Sequence, residues 1–210
     1  MNLAGPAKPH RRALRVLARD ASAGALNPRA VVLVEGMSDQ AAMETLARRR
    51  GRDLVAESVA IVAMGGATNL GHFLERFGPP GVDVRLAGLC DAAEEDGFRR
   101  GLERAGLGSN ITRSDMEELG FYVCEADLED ELIRALGTSA VETIIDTERE
   151  GGAFRSFQRQ PAQRGCPLEA QLRRFMGTLA GRKIRYGRLL VEALDISRVP
   201  RPLDGVLDRV

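Results

Sequence analysis

In the first half of the chain an apolar run that ends in a turn and is followed by a helical pattern recurs, and this rhythm narrows the fold more than any other feature. Ala30 to Val34 is unbroken in apolarity and stops at Glu35-Gly36, as suits a strand buried on both faces of a sheet. A helix is expected from about Ser38, which can cap it, to Arg50, with Ala41, Ala42 and Leu46 on its apolar face. Ser58 to Met64 is a second strand, followed by the Gly65-Gly66 turn and a helix over Thr68 to Phe77. Val82 to Cys90 and then Glu94 to Ala105 repeat the pair, and Gly120 to Cys124 with Leu128 to Leu136 repeats it again. Strands alternating with helices at this spacing imply an α/β fold: a four-stranded, mainly parallel sheet with right-handed crossovers.

Beyond Ser139 only helical pattern remains: Val141 to Glu148, a turn over Phe154 to Arg159, Leu168 to Thr178, Tyr186 to Leu194, and a short tail after Pro200 and Pro202. The expected organisation is a basic N-terminal arm over 1–29 with a short helix from Arg11 to Asp20, an α/β domain over 30–137, and a C-terminal helical extension over 138–210.

Several function classes fall away. No stretch approaches the ~20 apolar residues of a membrane span, and Arg15, Arg19 and Asp20 interrupt any secretory signal, so a cytoplasmic location is expected. Cys90, Cys124 and Cys166 form no CxxC pair, and with His10 and His72 as the only histidines neither a disulfide framework nor a zinc site is expected.

The formal net charge of zero conceals a segregation. Asp115 to Glu150 holds twelve acidic and two basic residues, whereas Gly151 to Leu190 holds nine basic and one acidic. Two readings stand: solvated helical faces, or a metal-holding edge beside a phosphate-holding surface. In an open parallel sheet functional groups collect at the carboxyl ends of the strands. Glu35, Asp91 and the run from Glu125 to Glu131 fall at such ends, and Asp39 lies in the first helical turn after Glu35. Oxygen ligands drawn from separated segments suit Mg²⁺ or Mn²⁺, although any one acid, Asp39 in particular, can serve simply to complement a helix dipole. Of thirty basic residues only Lys8 and Lys183 are lysine. A compact ammonium can stabilise charge developing at one point. Arg182, Arg185 and Arg188, extended by Arg173 and Arg174, are either a phosphate-contacting strip or the wet side of helices. Gly65-Gly66 can bring backbone amides to a phosphate or can simply supply the positive φ of a tight turn.

The stretch Val31-Val-Leu-Val-Glu35-Gly36-Met-Ser38-Asp39 resembles the first motif of TOPRIM domains. Met64-Gly65-Gly66-Ala-Thr-Asn69 resembles the glycine-rich turn after their second strand, and Leu89-Cys90-Asp91 the start of their aspartate motif. Within that superfamily the chain is most similar to OLD-family (overcoming lysogenization defect) nucleases. The step from Glu35 to Asp39, the Leu128-Glu129-Asp130-Glu131-Leu132 stretch and Lys183 carry that likeness, which spans about Ala30 to Leu194.

The resemblance implies a TOPRIM, Rossmann-like fold and Mg²⁺-dependent (or Mn²⁺-dependent) hydrolysis of phosphodiester bonds in DNA. Glu35 and Asp91 would hold one metal, Asp39 with Glu129 or Glu131 a second, and Lys183 would steady the transition state. Two departures stand out. The aspartate motif normally reads Asp-x-Asp, but position 93 is Ala93, so Glu94, Glu95 or Asp96 would have to substitute. No GxxxxGK[ST] loop is present, so any ATPase would be a separate protein. A non-catalytic TOPRIM-like module that binds nucleic acid or a partner in repair or recombination is the alternative, and self-association is left open.

Overall fold

The computed structural model describes residues 28–210; of the arm expected over 1–29, residues 1–27, with the helix expected from Arg11 to Asp20, lie outside the described residues. Strands β1 (Ala30–Val34), β2 (Val59–Ala63), β3 (Arg85–Cys90) and β4 (Phe121–Val123) form one sheet in the order β2-β1-β3-β4, and every pairing is parallel. At its centre Val32 lies between Ile61 and Ala87.

All five residues of β1 are fully buried, which requires a cover on both faces of the sheet. Side chains alternate across a strand, and the two sets meet different layers. Val31 and Leu33 pack with Phe73 and Leu74 of α2 (Leu70–Phe77), Phe98 and Leu102 of α3 (Glu95–Arg104) and Met116 of α4 (Arg113–Glu118). Ala30, Val32 and Val34 pack on Met43 and Leu46 of α1 (Met37–Arg49). That second face is completed by α5 (Leu128–Leu136), α6 (Thr138–Thr147), α7 (Gly151–Gln158), α8 (Leu168–Gly177), α9 (Ala180–Ala193) and α10 (Arg201–Asp208), through side chains such as Leu132, Phe175, Tyr186, Leu190 and Leu203. Residues 138–210 therefore share one core with the sheet and form half of its cover.

The helical details depart from expectation at several places. The expected turn at Phe154 is the full helix α7, in which Phe154 and Phe157 stack on one another and on Phe175. Helix α9 begins six residues before Tyr186, because its first turns carry Gly181, Arg182 and Lys183 and show no apolar pattern. The expected tail is α10, opened by a proline in its first turn and buried through Leu203, Val206 and Leu207. Helix α1 starts at Met37, with Gly36 rather than Ser38 at the cap, and its first turn is held by Asp39, which accepts from the Gly36 N–H at 2.7 Å.

Helices α1 and α9 lie unusually close. A Cβ built on Gly187 would stand 3.0 Å from the Ser38 carbonyl oxygen, so only glycine lets α9 cross there without displacement. Further along, Arg49 Nη1 donates to the carbonyls of Val191 at 2.8 Å and Leu194 at 2.5 Å, supplying donors that the end of α9 lacks. Replacing Gly187 by Val should push the helices apart and lower stability by about 1–3 kcal/mol, with Gly187→Ala milder, as read from urea unfolding midpoints.

Candidate metal centre

The carboxyl ends of the strands are tied to one another beyond the sheet itself. Met64 N donates to Val34 O at 2.8 Å, Cys124 N to Cys90 O at 2.9 Å and Ala92 N to Ala126 O at 3.1 Å, so the turns after β1 to β4 are fixed side by side. The Gly65 and Gly66 amides both donate to the Glu35 carbonyl, at 3.0 and 3.2 Å. With φ of 75° and 123° both glycines occupy backbone space that other residues rarely adopt. Of the two readings of this turn, the conformational one holds: its amides clamp Glu35 and are not free for a phosphate. Asn69 Nδ2 fastens the turn through Met64 O at 2.9 Å.

This clamp holds Glu35 beside Asp39, Asp91 and Asp127. Burial pushes the Glu35 carboxyl above its ordinary value, and the charges of Asp39, Glu94 and Asp127 add to the rise. Asp39, 8% exposed, is likewise raised by burial. Asp91 is pushed up to about 7 by burial and then by repulsion from Asp39, Glu35 and Asp127. Glu129, 2% exposed, is pushed up to about 7 by burial, with Asp127 and Asp39 adding and Lys183 opposing. Lys183 Nζ lies 3.2 Å from Glu129 Oε2, while Glu129 Oε1 is buried without a hydrogen-bond partner.

Asp127 is the residue that reading the sequence missed. Its Oδ1 accepts from the Asp130 N–H at 2.9 Å to cap α5, and its Oδ2 lies 2.5 Å from Arg173 Nε. An aspartate directly before an amphipathic helix, behind a strand, was the available signal.

Other expected residues are placed elsewhere. Glu131 lies two positions from Glu129, about 200° around the helix. Its Oε1 accepts from the Glu125 N–H at 2.7 Å and its Oε2 lies 2.8 Å from Arg134 Nη2, so both oxygens of this expected ligand are engaged within the protein. Much of the expected phosphate strip is likewise paired within the protein. Arg182 has an 11% exposed side chain, stacks over Phe175 at 4.1 Å and lies 3.1 Å from Glu150. Arg185 reaches the same Glu150 at 2.8 Å, and Tyr186 donates its hydroxyl to it at 2.9 Å. Arg173 is held by Asp127 as described. Only Arg174, which leans on Ala162 O at 3.4 Å, and Arg188, loosely paired with Glu192 at 3.6 Å, remain exposed without a close acidic partner. The acidic and basic blocks thus meet along a seam between α5 to α7 and α8 to α9 instead of presenting two surfaces. Partly buried charges demand partners, and these supply one another.

Beside Ala93, Glu95 is bound to Arg113 and Asp96 to Arg99, which leaves Glu94 as the acid whose charge reaches Glu35. Cys90 and Cys124 are buried with thiols pushed up by desolvation, as inert core groups should be.

Whether these residues suit a divalent cation can be judged from the donors themselves. All are hard oxygens, they raise one another's affinity for positive charge, and Glu129 Oε1 is a buried acceptor with nothing to accept from. Among the described residues no three Asp, Glu, His or Cys side chains are already grouped tightly enough to chelate one ion. The set would therefore suit a cation only as an open site, with water and phosphate oxygens supplying the rest of the shell.

The comparisons agree with this architecture. Residues 28–91 match the family model described as "Overcoming lysogenization defect protein-like, TOPRIM domain". The C-terminal region of the Burkholderia pseudomallei OLD protein is 19% identical with a TM-score of 0.68, covering 87% of this chain and 96% of that one. The C-terminal region of the Xanthomonas campestris pv. campestris OLD protein is 21% identical with a TM-score of 0.67, covering 88% and 95%. No curated protein matches the chain.

The raised acids make stability depend on pH. Folded Asp91 holds its proton to about 7, whereas the unfolded residue releases it near 3.8, so the stability it contributes is lost as pH rises between those values. Asp91→Asn should therefore be more stable than wild type at pH ~8, by about 1 kcal/mol or a few degrees in Tm, and should match it near pH 4; thermal melts in chelator check both. The strand ends thus gather acids around one lysine, and the chain carries an OLD-like TOPRIM segment within the fold of OLD C-terminal regions.

Proposed function

We propose that this protein is a divalent-cation-dependent nuclease that hydrolyses phosphodiester bonds in DNA. The observation that carries the reading is the crevice itself: burial and mutual repulsion, to which Asp127 adds its charge, raise the carboxyls of Glu35, Asp39, Asp91 and Glu129 around Lys183, the single lysine among the described residues. An enclosed surplus of negative charge is costly unless a cation neutralises it, and among the described residues only Lys183 and Arg173 do so in part.

Glu35 and Asp91, on the adjacent strands β1 and β3, would hold one Mg²⁺ or Mn²⁺. Asp39 and the free Oε1 of Glu129 would hold a second, and Glu94 would take the place vacated at Ala93. When bound, such a cation polarises the ester and makes an attacking water more acidic. Lys183, tethered through Glu129, keeps its proton and presents Nζ to charge developing on the phosphate. Arg173, pinned by Asp127, adds a second positive group near Asp91. A cytoplasmic location and an ATPase on a separate chain belong to the same reading. Among the described residues no helix is long and apolar enough to cross a membrane.

Ala93 favours a second reading, a binding module that keeps the fold without cutting. Plasmid and oligonucleotide cleavage with Mg²⁺ and Mn²⁺ separates the two. Glu35→Ala and Lys183→Ala should each reduce the rate by ~10²–10³-fold, and a wild type that binds DNA but cuts nothing with either metal establishes the binding module. Activity should be greater with Mn²⁺, which tolerates an imperfect oxygen set better than Mg²⁺. Glu94→Gln should lower cleavage about tenfold, whereas Glu95→Gln and Asp96→Asn should not. Equal losses in all three would show that Glu94 has no special place.

A further inference from the structure

On the face of the sheet opposite the C-terminal helices, a groove of about 360 Å³ opens between α2 and α3. Its upper end belongs to the crevice. Thr68 stands in the turn after β2, and Glu94, whose charge reaches Glu35, leans over Gly97, with Oε2 4.0 Å from where a Cβ would be. Its floor is low because Leu70 meets Gly101 directly: a Cβ there would come within 2.9 Å of Leu70 Cδ2. Gly71 and Gly97 leave the walls above that contact free of side chains.

The lower end is cationic. Arg100 and Arg104 lie one turn apart on α3, both exposed and both lining the groove. Neither has an acidic partner among the described residues, whereas neighbouring Arg99 pairs with Asp96 and Arg113 with Glu95. Arg104 Nε instead donates to the Arg100 carbonyl at 3.1 Å, which lays its side chain along the helix. A narrow channel with bare walls and two unpartnered guanidiniums, continuous with an acidic crevice, is complementary to a polyanion whose reacting phosphate sits at the crevice end.

Building on the nuclease reading above, we propose that this groove carries the phosphodiester backbone of one nucleic-acid strand past the crevice, with Arg100 and Arg104 contacting successive phosphates. The chain's own first 27 residues are the wrong occupant by charge, since they hold five Lys or Arg against one Asp.

The test is fluorescence anisotropy of a labelled single-stranded oligonucleotide, without a catalytic metal and across a salt series, on wild type and on Arg100→Ala/Arg104→Ala. Both positions are exposed, so folding should be unaffected, and melting curves check this. The double variant should bind about tenfold more weakly, and its log–log salt slope should fall by about 1.4, two contacts at ~0.7 each. Hydrolysis of bis(p-nitrophenyl) phosphate, too small to reach the arginines, should be unchanged, whereas Glu35→Ala should abolish it. Arg159→Ala, an exposed arginine on another face, should leave binding as it was. An unchanged affinity and slope in the double variant, or an equal loss in Arg159→Ala, overturns the groove while leaving the nuclease reading intact. A wild type that neither binds the oligonucleotide nor hydrolyses the small diester overturns both.

Discussion

A parallel sheet with a central strand buried on both faces must be covered twice, and most of this molecule follows from that requirement. Crossovers α2 and α3 cover one face, but only α1 covers the other among the helices that link strands. The chain therefore needs further apolar helices after β4, and α5 to α10 supply them. Their arrival has a chemical by-product. The helices that complete the core also bring Glu129, Arg173 and Lys183 to the open end of the sheet, where Glu35 and Asp91 already stand. Packing and site are assembled by one event.

The electrostatics of that end are a balance between enclosure and compensation. Asp91 and Glu129 are held where desolvation raises them, and the same desolvation makes each nearby cation more effective. Lower down, the acids and bases of α6 to α9 neutralise one another around Glu150, which gathers Arg182, Arg185 and Tyr186. One part of the seam is saturated and serves cohesion. The other is left short of positive charge, with Glu129 Oε1 unpartnered.

What could be read in the sequence was whatever local pattern decides. β1, β2 and β3, the positive-φ turn at Gly65-Gly66, and Glu35 and Asp91 at strand ends all follow from apolar runs and the residues that stop them. What could not be read was decided by distant contacts. Arg182 looked like a surface cation because nothing nearby in sequence shows that Glu150 and Phe175 enclose it. Glu131 looked equivalent to Glu129 until the helix turned them to opposite sides. Asp127 was hidden by an ordinary capping role, and α10 by two prolines that suggested a tail although one of them opens the helix.

The contact of Gly187 with Ser38 joins positions about 150 residues apart. Such a contact closes a long loop, so it belongs to the late, slow part of folding rather than to its local beginnings. A nascent chain would carry β1 to β4 and their carboxylates well before α9 can dock and deliver Lys183. During that interval the acidic end of the sheet stands without its lysine and half of the sheet without its full cover; docking of α9 supplies the lysine, and α10 then completes the cover.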